Sequence, residues 1–114
     1  MLVVNRFQVD TDVATFTERA HAAIRALAAC RGYVSGRLGR APDDPALWCL
    51  ATEWESVGAY RRALGNFDVK MYGTPLLAQS IEEPSAYEVL ASLDPGGELV
   101  VTEGDWVAVE EGRR

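Results

Sequence analysis

The spacing of apolar residues in this chain switches from a period of two to a period near 3.6 and back, and then does so again. Residues 2–9 alternate: Val3, Asn5, Phe7 and Val9 share one face and Leu2, Val4, Arg6 and Gln8 the other, the pattern of a half-buried strand. Asp10, Thr11 or Asp12 then offers a side-chain oxygen to the free amides at the start of a helix. That helix is predicted over residues 13–30, with Val13, Phe16, Ala20, Ile24 and Leu27 as its apolar stripe. Arg31 and Gly32 end it, a cation beside the carbonyl end and then a residue that tolerates a left-handed backbone. A second strand over residues 33–40 leads through a turn at 41–45 into a third over 46–55, with Trp48, Leu50, Thr52 and Trp54 on one face. Their short link makes them an antiparallel hairpin. Ser56 caps a second helix carrying Tyr60 and Leu64, and Gly65-Asn66 interrupts it before a short helical piece over 67–72. Thr74-Pro75 opens another helical turn at 76–80, and a fourth strand over 85–93 completes the order.

This succession is the split β-α-β arrangement of a ferredoxin-like sandwich, an α+β fold with helices on one face of a four-stranded antiparallel sheet. The other sheet face keeps Leu2 and Val4 and needs a cover; a second copy of the same sheet is the simplest, so a homodimer is expected. At 114 residues there is room for one main domain, placed at residues 1–93. Residues 94–114 form an acidic arm, in which 99–102 and 106–109 flank Glu103-Gly104-Asp105 as the two sides of a small hairpin.

Charge and scarce residues exclude several functions. The net charge is −6, and no block is basic enough to displace counterions from nucleic acid or to hold an anionic membrane surface. No apolar run reaches the roughly 18 residues a membrane span needs, so the expected location is the cytoplasm. His21 is the one histidine, and Cys30 and Cys49 read as two reduced, buried thiols, so no metal site is expected. Nucleotide-binding loops and a serine nucleophile elbow are absent from the sequence.

Four short stretches carry a further signal: Val4-Asn5-Arg6-Phe7, Arg31-Gly32-Tyr33, Thr52-Glu53-Trp54-Glu55-Ser56-Val57, and Ala59-Tyr60. In order and spacing the chain resembles the antibiotic biosynthesis monooxygenase (ABM) family of dimeric α+β barrels over residues 1–93. The resemblance implies a homodimer and, for part of the family, oxidation of polyphenols, anthrones or quinols without a cofactor. A haem-degrading branch of the family uses an asparagine on strand one, matched here by Asn5, with a tryptophan and a histidine in the second helical region. Those two positions fall near Ala63 and near 72–74, where neither residue stands. Asn5 is the family residue that carries over.

Asn5 is therefore the candidate catalytic residue, the only polar member of its strand face. It either hydrogen-bonds a substrate oxygen or is satisfied by backbone or a buried water. Phe7, Trp54, Tyr60, Leu64, Phe67, Met71 and Tyr72 are the candidate substrate-binding set, lining a flat apolar pocket or simply packing the core. His21 lies on the flank of its helix and Arg61-Arg62 on a solvated face. The expected function is a cofactor-independent monooxygenase acting on an aromatic polyphenol, anthrone or quinol-like small molecule. The alternatives are a non-catalytic small-molecule-binding dimer module on the same fold and a haem-binding protein.

Overall fold

The computed structural model describes residues 1–103. Strand β1 (Leu2–Gln8) is followed by helix α1 (Val13–Ala28), the hairpin β2 (Tyr33–Ala41) and β3 (Asp44–Trp54), and helix α2 (Val57–Leu64). A π-helical turn (Val69–Gly73) runs directly into the short helix α3 (Thr74–Leu77). Strand β4 (Ala86–Tyr87) completes a four-stranded sheet in the order β2-β3-β1-β4, with every neighbouring pair antiparallel. This is the ferredoxin-like order expected from the sequence.

Period-two patterning puts Val3, Asn5 and Phe7 opposite Thr52, Leu50 and Trp48, all six buried on the face the helices cover. Asp12 starts α1 from a left-handed backbone (φ 52°), and its Oδ1 accepts from the Thr15 amide at 3.2 Å. Hydrogen bonding from Thr15, and behind it the charge of Arg19, holds the Asp12 carboxyl below the usual carboxylate range. Ser56 caps α2 in the expected way, its Oγ accepting from the Ala59 amide at 3.0 Å.

Three expectations are corrected. The buried stripe of α1 is Phe16, Ala20, Ala23, Ala26 and Leu27, whereas Ile24 is half-buried and Val13 exposed. Val13 shares the facing of Ala20 but is the first residue of the helix, and alanines let the rest of that face approach closely. The β2–β3 turn is only Pro42-Asp43, because Ala41 already pairs with Asp44 across a bulge. The fourth strand is short: Pro84 lacks an amide to donate, and the register pairing Leu2 with Tyr87 carries residues beyond Glu88 past the end of β1. The chain instead forms a separate exposed ribbon, β5 (Ala91–Ser92) with β6 (Val100–Val101). The expected strand over residues 106–109 lies outside the described residues.

Arg6, on the uncovered sheet face, grips Glu83 with two hydrogen bonds of 2.7 and 2.6 Å, and the Arg6 carbonyl accepts from the Ile81 amide at 2.7 Å. Together they tie the segment before β4 to β1. The Arg6 hydrogen bonds and charge lower the Glu83 carboxyl pKa, so its stabilisation is present above the ordinary carboxylate pKa and is lost as pH falls through the lowered one. A Glu83→Gln variant is expected to melt below the native protein at neutral pH, with the gap closing in acid. Thermal melts at pH 7 and pH 3 check this, and a gap that persists unchanged in acid contradicts it.

Candidate functional site

The inner sheet face carries two aromatic groups with a polar interval between them. At one end Trp54 is 1% exposed, with Tyr33 edge-on at 5.4 Å and Tyr60 tilted against it at 5.4 Å. Its indole Nε1 donates to Thr52 Oγ1 at 2.8 Å, so both buried polar groups are satisfied. Burial pushes the Tyr60 phenol pKa up, which keeps it protonated at neutral pH. At the other end Phe7 packs on Phe16 (5.2 Å), and Phe16 meets Trp48 edge-on (5.4 Å). The Arg40 guanidinium stands 5.4 Å from the Trp48 ring centroid.

Asn5 lies between these groups, facing Leu50, with the Val3/Thr52 and Phe7/Trp48 pairs on either side. It is 8% exposed, and its amide makes no hydrogen bond among the described residues. Trp48, 9% exposed, likewise has a buried Nε1 donor with no acceptor among them. The enclosed Trp48 donor is the costly one, about 1–3 kcal/mol for a buried group left without a partner, whereas the Asn5 amide is not sealed from solvent. A ligand oxygen or an enclosed water relieves that cost.

The structure does not gather the seven expected substrate-binding residues into one pocket. Phe7 and Trp54 are core, at opposite ends of the inner face, and Tyr60 and Leu64 are half-buried against it. Phe67 is 74% exposed. Met71 and Tyr72, each just over half exposed, line a cleft of about 380 Å³ between α1 and the π-helical turn, with Arg19, Pro75, Leu76 and Gln79. A second cleft of about 370 Å³ adjoins it, sharing Arg19, Leu76 and Gln79 and reaching Asp10 and Asp12 with Phe16 in its wall. A third, of about 320 Å³, continues past Ala22 and Tyr72 towards Arg25 and Asp68.

Sequence reasoning missed Arg19 and Leu76. The available signal was the run Ala22, Ala26 and Ala29 along the edge of the buried stripe of α1: side chains too small to fill the space against residues 67–77 leave a groove. His21 is exposed, as expected. Cys30 and Cys49 are free and half-buried, less enclosed than expected, and burial raises the Cys30 thiol pKa. Among the described residues no three His, Cys, Asp or Glu side chains cluster to hold a metal ion, and no helix is long and apolar enough to cross a membrane.

A split β-α-β sheet with helices on one face, an asparagine without a hydrogen bond at its middle and a groove beside the first helix defines a ferredoxin-like α+β domain. The chain belongs to the antibiotic biosynthesis monooxygenase family, whose sequence profile matches residues 1–72. Among solved structures it is similar to SnoaB, a cofactor-independent oxygenase from Streptomyces nogalater, at 28% identity and a TM-score of 0.63, covering 78% of this chain and 94% of that one. The N63A mutant of SnoaB matches at 29% identity and a TM-score of 0.62, over 70% of this chain and 82% of the other. Rv0793 from Mycobacterium tuberculosis shares the fold at 24% identity and a TM-score of 0.61, over 82% and 94%. No curated protein matches the sequence.

Proposed function

We propose that this protein is a cofactor-independent monooxygenase of an aromatic polyphenol, anthrone or quinol-like small molecule, with Asn5 as the catalytic residue. The observation that carries the reading is Asn5 itself, a residue nine-tenths buried on the inner sheet face whose amide makes no hydrogen bond among the described residues and keeps an opening to solvent. Membership of the ABM family and the likeness to a cofactor-independent oxygenase support it.

Ground-state oxygen is a triplet, and its direct reaction with a closed-shell molecule is spin-forbidden. An electron-rich phenolate or carbanion escapes this by passing one electron to oxygen and recombining with the superoxide formed. For an anthrone, one oxygen atom remains as the new carbonyl. The other leaves as water with the two hydrogens of the oxidised carbon. The substrate supplies all the electrons. The protein has to favour the deprotonated ring, keep bulk water away and hold the oxygen-bearing intermediate. An Asn5 NH₂ group donating to the developing oxyanion does the first and the third, and the Phe7–Phe16–Trp48 group beside it serves the second.

Two further parts of the reading concern assembly and location. The uncovered sheet face, with Val4, Leu47, Cys49 and Ala51 half-buried in the monomer, is the surface through which we place a homodimer. A single species of twice the chain mass in light scattering supports that, and a monomer at micromolar concentration rejects it. Two reduced thiols fit a cytoplasmic setting.

The test is oxygen uptake with a panel of anthrones and quinols, without added flavin or metal. Native protein is expected to exceed autoxidation, and Asn5→Ala to fall on the order of tenfold to a hundredfold, the range for losing a hydrogen bond to a charged group. Its thermal stability should match the native value within about 1 kcal/mol, since no native hydrogen bond is lost. Autoxidation rates for every substrate would reject the monooxygenase reading. A non-catalytic binding module, which the close enclosure of Asn5 favours, would then replace it.

A further inference from the structure

We propose that the groove between α1 and the π-helical turn selects an aromatic ligand bearing a single acidic substituent, with Arg19 as the residue that reads the acid. The ring platform comes from three neighbours. Met71 and Tyr72 expose more than half their surface into or beside the groove, and Pro75 stands next to them over a floor made by buried Leu76. A thioether, a phenol face and a pyrrolidine side by side suit a flat, polarisable ring. The cleft of about 380 Å³ falls within the range of small-molecule sites.

The charge pattern gives the polarity of the ligand. Arg19 is the only charged side chain lining the ring cleft; it makes no ion pair within 4 Å among the described residues, and its charge is felt by Asp12 across the adjoining cleft. It stands where the ring cleft meets the adjoining one, so a carboxylate on a ring lying against Tyr72 reaches the guanidinium at the junction. Beyond that junction the wall carries Asp10 and Asp12, which repel a second negative group. The arrangement accepts one anionic substituent at one end of the ring system and penalises a diacid. The proposal rests on the monooxygenase reading only for the expectation that the ring is anthrone-like; the recognition itself needs no turnover.

The test uses inert probes in equilibrium dialysis: anthraquinone-2-carboxylate, its neutral 2-hydroxymethyl counterpart and anthraquinone-2,6-dicarboxylate. The monoacid is expected to bind about tenfold tighter than the alcohol at low salt, with the advantage shrinking as salt rises. Arg19→Gln should erase that advantage without weakening the alcohol, and Arg19→Lys should keep part of it. Tyr72→Ala should weaken acid and alcohol alike, and Arg37→Gln, an exposed change on β2, should alter neither. Equal affinities for monoacid and alcohol, a diacid bound as well as the monoacid, or no saturable binding would each overturn the proposal. Oxygen uptake is read separately. Acid-selective binding without turnover keeps this inference and removes the monooxygenase reading, whereas turnover with no acid selectivity does the reverse.

Discussion

Trp54→Ala is expected to remove about 3–5 kcal/mol of folding stability, the cost typical of deleting a fully buried large aromatic. The side chain is 1% exposed, and two rings, Tyr33 and Tyr60, close on it from β2 and α2. Its loss therefore opens a cavity where hairpin and second helix meet, and it also strands Thr52 Oγ1, whose donor is the Trp54 indole at 2.8 Å. Domains of this size hold roughly 5–15 kcal/mol in all, so the variant keeps only a modest margin. Urea titration followed by circular dichroism measures the change. Trp54→Phe separates its parts: the phenyl ring restores much of the volume but leaves Thr52 without its donor, so an intermediate loss is expected. A loss below about 1 kcal/mol for the alanine variant would mean that the β3–α2 junction is not the rigid centre described here.

Gly32→Ala is the second large effect, and it arises in the backbone. Gly32 has φ +90°, a left-handed conformation that costs an L-residue about 1–2 kcal/mol. A Cβ built there overlaps the Ala59 Cβ on the first turn of α2, and relieving such an overlap costs typically 1–3 kcal/mol more. The expected sum is about 2–5 kcal/mol. The two contributions separate in a double-mutant cycle with Ala59→Gly, which removes the steric partner and leaves the backbone strain. A coupling near zero would show that α2 shifts to make room. The position matters because the Gly32 carbonyl accepts from the Glu55 amide at 2.8 Å, fixing the start of β2 against the end of β3.

The fold was legible because each element announced itself by period and punctuation. Val3, Asn5 and Phe7 alternate, Ser56 stands before a helical spacing, and Gly65-Asn66 interrupts it. What stayed illegible depends on register and depth. The alternation of Tyr87, Val89, Ala91 and Leu93 predicts one long strand, yet only the antiparallel register with Leu2 reveals that β1 offers partners for its first part alone. The site was half legible. A lone asparagine on an apolar face can be found by counting, and its lack of a partner is a property of three dimensions. Phe67, Met71 and Tyr72 read as pocket lining or core because they are large and mostly apolar, but the turn of the chain after Asn66 presents them outward. The groove that Met71 and Tyr72 border is a product of missing volume on α1, and small residues leave a weaker mark on a pattern than large ones.

The π-helical turn at Val69–Gly73 sits inside a helical run over residues 67–77, and such a turn holds one residue more than an α-helix would. Deleting a single residue there would return the run to ordinary winding, and because the wide turn absorbs its extra residue locally, the helix on either side would keep its facing. The change would fall on side chains within the turn, Met71 and Tyr72 among them, which would shift by one residue step of about 100° while Pro75, Leu76 and the sheet kept their places. The outline of this groove thus depends on one extra residue in the turn, a change of a single codon that leaves the sheet beneath it untouched.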